Sequence, residues 1–238
     1  MKFRALATDY DGTIAHDGIV DEATVEALRR ARTAGLTLLL VTGRELPSLF
    51  DTFPDSDVFD LIVAENGAVL YDPRTREVKL LGSAAPPALV EALERARVPL
   101  SVGHTIVATV TPFEHEVLRA IHALGLDWHV IFNKSAVMAL PSDVTKATGF
   151  AAALHRLDLA KEDVVGVGDA ENDQAFLRLC GLSVAVANAL DTVKALVDVT
   201  TPGARGSGVQ ELIARLLAGE MDSVVPDPQK HRSVTVPW

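Results

Sequence analysis

The chain has 238 residues, 48% of them apolar, a formal charge of −10 and a single cysteine. That length suits one large domain or a core carrying a smaller insertion, and the apolar share is enough for a sizeable buried core. The negative charge argues against nucleic acid or an anionic membrane as a partner, and no apolar run is long enough to span a bilayer.

Met1-Lys2-Phe3-Arg4-Ala5 runs straight into a strand-like segment, without the apolar stretch of a secretory signal. The lone Cys180 excludes an internal disulfide and fits a reducing, cytoplasmic compartment, and Leu179 and Gly181-Leu182 around it mark it as buried filler. Residues 3–8 read as a first strand. A helix follows with Asp21 as N-cap, Val20 and Val25 as a hydrophobic staple, and Gly35 at its C-terminal end. The unbroken apolar run 37–41 is the pattern of a parallel strand covered on both faces, and 61–64 is a third strand.

From about residue 82 to 141 the pattern changes. A helix opens at Pro86-Pro87, strand-like residues fill 100–110, and Thr111-Pro112-Phe113-Glu114 reads as a capping box whose helix ends at Gly125. Alternation at Trp128, Val130 and Phe132, then 136–140, predicts antiparallel strands. Strand and helix alternate again from residue 147: helices over 147–157, 171–179, 190–196 and 209–217, with strands over 164–167 and 182–186. Residues after 220 read as a loose tail rich in proline, in which Trp238 is a candidate docking residue. The expected fold is α/β: a doubly wound, Rossmann-like parallel sheet core (1–81 and 144–220) with a small inserted α+β cap domain (82–143) and a tail (221–238).

Chemistry concentrates at strand ends. Asp9 and Asp11 lie two apart in Thr8-Asp9-Tyr10-Asp11-Gly12-Thr13, so an extended backbone turns both carboxylates toward one site. Such a pair suits Mg2+; an acidic turn is the bland alternative, and a calcium loop fails because position 14 is isoleucine rather than glycine. Thr42-Gly43-Arg44 offers a hydroxyl and backbone N–H groups to phosphate oxygens, although Thr-Gly also makes ordinary turns. Lys146 opens a helix against the helix dipole, which gives it no role in helix stability; a solvated surface lysine is the alternative.

Gly168-Asp169-Ala170-Glu171-Asn172-Asp173 is a second acidic group. It is not a dinucleotide fingerprint, because Glu171 stands where the third glycine belongs, and helix capping explains only part of its acidity. In a doubly wound sheet all four segments meet in the crevice at the strands' carboxyl ends. Of the inserted histidines, His115 and His122 lie about 10 Å apart along a helix, too far for one zinc. With His104 and His129 they read as surface or substrate-contact residues.

These residues, in this order, resemble the haloacid dehalogenase superfamily of phosphatases, in its Cof-type branch with a subclass IIB cap; Glu65-Asn66-Gly67-Ala68 is similar to that branch's turn after the third strand. The resemblance implies a phosphomonoester hydrolase with an aspartyl-phosphate at Asp9. It casts Asp11 as acid and base, Thr42 and Lys146 as phosphate-holding groups, and Asn172 as a neighbour of the phosphoryl group. It also implies Mg2+ held by Asp9, the Asp11 carbonyl, Asp169 and, directly or through water, Asp173. Tyr10, in place of an aliphatic residue, should point away from the chemistry. The short cap implies a small phosphorylated metabolite such as a sugar phosphate or a phosphoglycolate-like acid, selected by loops near Gly103-His104 and Asn133-Lys134. A phosphotransferase to a sugar hydroxyl, a non-hydrolytic receiver-like module that holds phosphate on Asp9, or a binding protein without turnover is the alternative; a monomer or homodimer is expected.

Overall fold

The computed structural model of the chain describes residues 2–133 and 135–231; Lys134 and Trp238 lie outside the described residues. β1 (Ala5–Thr8) leads through a short hairpin, β2 (Ala15–His16) and β3 (Ile19–Val20), into α1 (Glu22–Thr33). β4 (Thr37–Val41), α2 (Leu46–Thr52), β5 (Leu61–Ala64), β6 (Val69–Asp72) and β7 (Glu77–Leu80) follow. Next come α3 (Pro87–Arg95), β8 (Ser101–Val102), β9 (Val107–Val110), α4 (Glu114–Ala123), β10 (Trp128–Asn133) and β11 (Ala136–Pro141). The last part holds α5 (Lys146–Leu157), β12 (Val164–Gly168), α6 (Gln174–Leu177), β13 (Leu182–Ala185), α7 (Asp191–Lys194), β14 (Val199–Thr200) and α8 (Arg205–Leu217).

The larger sheet has the order β14-β13-β12-β1-β4-β5-β6-β7. Neighbours are parallel from β14 to β5, and β6 and β7 add an antiparallel edge. Every residue of β1, β5, β12 and β13 is buried, as a parallel sheet covered on both faces requires. β1 is central, with Leu6 opposite Leu38 of β4 on one side and Val165 of β12 on the other. The carboxyl ends of β1, β4 and β12 therefore lie side by side, which places Asp9, Thr42 and Asp169 at one edge. Asp21 caps α1 as its sequence predicts, accepting from the Thr24 N–H at 2.7 Å.

The smaller sheet, β10-β11-β9-β8, is antiparallel throughout. Its helix-facing side packs Val107, Val137 and Ala139 with Leu89 and Leu93 of α3 and Val117 and Ile121 of α4 in an apolar cluster of its own. Met138 and Leu140, alternating with these along β11, join the main core instead.

Three local expectations are corrected. Residues 100–110 do not form one strand: the chain turns between β8 and β9, with the Gly103 N–H donating to the Ile106 carbonyl at 2.9 Å. Thr111 is not a helix cap; its N–H goes to the Ser135 carbonyl at 2.9 Å, and α4 begins only at Glu114 with Phe113 as N-cap. The helix expected over 171–179 is a 3-10 turn, Glu171–Asp173, followed by the single turn of α6. Asp173 bends back onto the amides of Asp169 and Ala170, both at 2.9 Å, which tightens that first turn.

The described part of the tail is not loose. Met221 is fully buried in the main core. The Asp227 N–H and the His231 Nε2 both reach Asp198, at 2.9 and 2.7 Å, and Lys230 Nζ reaches the Val197 carbonyl at 2.5 Å. Burial works to raise the Asp198 carboxyl, but hydrogen bonds from the Ser183 and Asp227 amides, the Ser183 hydroxyl and His231 outweigh it and hold it below the usual carboxylate range. A depressed folded-state pKa contributes stability that is present at neutral pH and lost as pH falls through that low value. Asp198→Asn is therefore expected to lower Tm at pH 7, with the difference from the parent protein shrinking as pH drops through and below the carboxylate range. A thermal series against pH checks this.

Candidate active site

Lys146 is 2% exposed, at the first position of α5. Close packing puts it there: a Cβ on Gly67 would collide with the Thr145 carbonyl, and one on Gly149 with Gly67, so α5 begins hard against the turn after β5. Its Nζ lies 2.5 Å from Asp9 Oδ1 and 2.6 Å from Asp173 Oδ1. Two charge-assisted bonds replace its hydration and offset the opposing helix dipole. Asp9, Asp169 and Asp173 are all buried, and each offers a carboxylate oxygen within 4.8 Å of the others. The Thr13 hydroxyl sits between Asp9 Oδ2 at 3.1 Å and Asp169 Oδ1 at 3.2 Å. With one proton, it can satisfy only one of them at a time.

Three carboxylates facing one ammonium leave this buried pocket with excess negative charge. Burial, then Asp173 and Asp169, push the Asp9 carboxyl up to about 8 against the opposing pull of Lys146. Burial also disfavours charge on Lys146, but Asp173 and Asp9 outweigh it and hold the ammonium above its usual range. A divalent cation supplies the missing charge, and oxygen donors alone suit a hard ion. The residues thus fit a divalent metal, with Asp9 and Asp169 the better placed: both Asp173 oxygens already serve Lys146 and the amides of Asp169 and Ala170.

Asp11 faces a different group. The Arg44 guanidinium grips it through Nε to Oδ2 at 2.7 Å and an N–H to Oδ1 at 2.8 Å, and lies over the Tyr10 ring at 4.9 Å. The Arg44 side chain is therefore committed to Asp11. Its backbone N–H donates to Thr42 Oγ1 at 3.1 Å, and Thr42 is fully buried. Gly43 packs against Asn66, whose Oδ1 accepts from Asn172 Nδ2 at 3.0 Å. The Asn172 Oδ1 is buried with no hydrogen-bond partner among the described residues. Tyr10 points away from the carboxylates, fully buried and donating to the Gly18 carbonyl at 2.9 Å.

Sequence reasoning assigned no role to Thr13, although its place in the Asp-x-Asp-Gly-Thr segment was a usable signal. Nor did it pair Arg44 with Asp11. His104, read as a surface or substrate contact, is exposed and also bonds Glu65. Cys180 is buried as expected, and burial pushes its thiol upward, so it is inert.

The profile of the haloacid dehalogenase-like hydrolases matches residues 6–105 and 116–213, most of the chain. The chain belongs to this family. It is a phosphatase of the Cof type within it, as the resemblance implied. It is 30% identical to a phosphoglycolate phosphatase of Methanothermobacter thermautotrophicus over 90% of this chain and 99% of that one. It is 27% identical to phosphoglycolate phosphatase 2 of Saccharolobus solfataricus over 92% of this chain and 95% of that one. Its fold resembles a haloacid dehalogenase-like hydrolase from Bacteroides thetaiotaomicron, with a TM-score of 0.76 at 18% identity over 90% of this chain and all of that one. Among the described residues, no helix is long and apolar enough to cross a membrane.

Proposed function

We propose that this phosphatase is a Mg2+-dependent phosphomonoester hydrolase that works through a phosphoryl group carried on Asp9. The observation that carries the proposal is the buried contact of Asp9 with Lys146 inside the three-carboxylate group. In the first step an Asp9 oxygen bonds to phosphorus, the ester P–O bond breaks, and the departing oxygen takes a proton from Asp11. In the second, Asp11 removes a proton from water, the water oxygen bonds to phosphorus, and the acyl phosphate splits to regenerate the Asp9 carboxylate.

Lys146 offsets charge as phosphoryl oxygens arrive beside Asp9, and Thr42, accepting from Arg44, still has its hydroxyl proton to donate to a phosphate oxygen. Arg44 fixes Asp11 at the site, so Asp11 must free one oxygen to exchange its proton with substrate. Asp9 and Asp169, with the Asp11 carbonyl, would hold Mg2+, and Asp173 would act on it through Lys146 and its turn. The ion, when bound, supplies charge neutralisation for the transferred group.

The substrate class is a small phosphorylated acid or sugar. Phosphoglycolate is the first candidate, because the curated relatives quoted above carry that name and the chain spans nearly their whole length. Division into a core (1–81 and 144–220) and a cap (82–143) belongs to the same proposal, supported by the separate apolar cluster of the smaller sheet. Release of inorganic phosphate from 2-phosphoglycolate, with Mg2+ and with EDTA, tests it; equal rates in the two would sink the metal assignment.

Mg2+ binding has a second readout. At 100 times its dissociation constant a cation stabilises the fold by about 2.7 kcal/mol, a rise in Tm of several degrees for a chain of this size. Differential scanning calorimetry should show that rise in the parent protein and its absence in Asp169→Asn.

A further inference from the structure

Glu65 takes no part in that chemistry, yet it is fully buried beside the site and reaches out of the larger sheet. It directly follows β5, and three backbone N–H donors and a histidine ring nitrogen from the β8–β9 turn converge on its carboxylate. The His104 N–H and ring Nδ1 lie 2.9 and 3.2 Å from Oε1, and the Thr105 and Ile106 N–H groups lie 2.9 and 3.0 Å from Oε2. Three consecutive amides around one anion form an anion-binding concavity, here filled by a carboxylate from the facing element.

The fit is tight from both sides. A Cβ on Gly103 would stand 2.6 Å from the Glu65 carboxyl carbon, so a larger residue there must displace the carboxylate. Glu65 and Asn66 both take left-handed backbone, φ +50° and +52°, a conformation unfavourable for residues other than glycine that surrounding bonds must maintain. Asn66 continues the link: its Nδ2 lies 3.0 Å from Met138 Sδ on β11, while its Oδ1 accepts from Asn172 in the acidic turn. Residues 65 and 66 thus join the β8–β9 turn, β11 and the acidic turn at one point.

The clamp sits where the chain crosses between the two sheets. A Cβ on Gly82, in the outgoing crossing, would stand 2.8 Å from Val144 of the returning one and 3.1 Å from the Thr105 side chain. Two single-chain crossings leave rotation about their common line; a third, non-covalent attachment opposes it. β10 packs against the Glu171–Asp173 turn, so any such rotation moves the smaller sheet relative to the site.

We infer that Glu65 is a positioning residue, a carboxylate latch that holds the β8–β9 turn and thereby sets the smaller sheet over the phosphate site. The activity arm of its test rests on the phosphatase reading above; the exchange arm does not. Glu65→Gln keeps the shape but sets a carboxamide NH2 against N–H donors, so part of the latch is lost. Gly103→Ala attacks the same contact from the other side and leaves the core sequence untouched.

Amide hydrogen exchange of the full-length protein should show residues 103–106 exchanging about tenfold faster in each variant, with β1 and β12 unchanged. With 2-phosphoglycolate and Mg2+, KM should rise about tenfold while kcat stays within about threefold, the pattern of lost binding rather than lost chemistry. Unchanged exchange at 103–106, or acceleration spread evenly through β1 and β12, overturns the latch; so does a fall in kcat with KM unmoved. A parent protein inactive on phosphoglycolate overturns the substrate reading alone, since exchange still decides the latch. Should Glu65→Gln fail to fold, Gly103→Ala carries both measurements.

Discussion

Asp9→Asn is expected to abolish phosphate release while leaving the fold intact or slightly more stable. The amide is nearly isosteric but is not a nucleophile toward phosphorus, and removal of a covalent nucleophile costs about 10⁴-fold or more in kcat. The stability half follows from the charge in the pocket. Asp9 and Lys146 are pushed in directions that cannot both favour a simple ion pair: the ammonium is held charged, whereas the carboxyl is raised to about 8. Lys146 keeps its charge on Asp173, and Asp9 is the member of the group whose charge the pocket disfavours while no cation is bound. Replacing it by a neutral amide removes a charge the apo pocket already disfavours.

A bound cation would favour the Asp9 carboxylate, the form that the proposed attack needs, so ion binding and readiness of the nucleophile would rise together. Phosphate release and Tm should be measured on the same preparation. Residual turnover above about 1% of the parent rate would remove Asp9 from the nucleophile's role, since removing one member of a catalytic unit typically costs about 10⁴-fold or more.

How much of this site could be read in advance depended on the range of each contact. Asp9, Thr42 and Asp169 are each the first or second residue after a strongly apolar strand, a local signal, and one topological rule brings those strand ends together. Lys146 was visible because it stands at a helix start where the dipole disfavours it. The partners that organise these residues carry no such mark. Arg44 grips Asp11 from 33 positions away, and the amides that hold Glu65 come from 39 to 41 positions on. Backbone N–H groups have no sequence signature. Neither does a turn that exists because a carboxylate fills it, which is why 100–110 read as an unbroken run of strand-like residues.

The β6–β7 edge was missed for a different reason. Its register is set by a turn at Asp72, whose Oδ1 takes the Arg74 and Thr75 amides at 2.9 and 3.3 Å, and all four residues of β7 are exposed. An exposed edge strand lacks the apolar run that marks a buried one.

Lys146→Met should lose both activity and stability, and a second substitution should separate the two losses. The side chain is 1% exposed and sits between two buried carboxylates. Removing one partner of a buried charge group typically costs about 3–5 kcal/mol, because the remaining charge is left uncompensated. For a chain of this length that is a fall in Tm of about 6–20 °C. Arginine is no conservative substitute: the slot holds a compact ammonium, and the larger planar guanidinium would have to displace one carboxylate.

Adding Asp173→Asn to Lys146→Met removes one of the two stranded charges. Its carboxamide oxygen can still accept from the Asp169 and Ala170 amides, so the turn is kept. The double variant should therefore recover about half of the lost stability yet remain inactive, since nothing has replaced the ammonium beside Asp9. Calorimetry and phosphate release on the three proteins decide the matter. Recovery of turnover along with Tm would make Lys146 a structural residue only, and an unchanged Tm in Lys146→Met would mean the buried carboxylates are compensated without it.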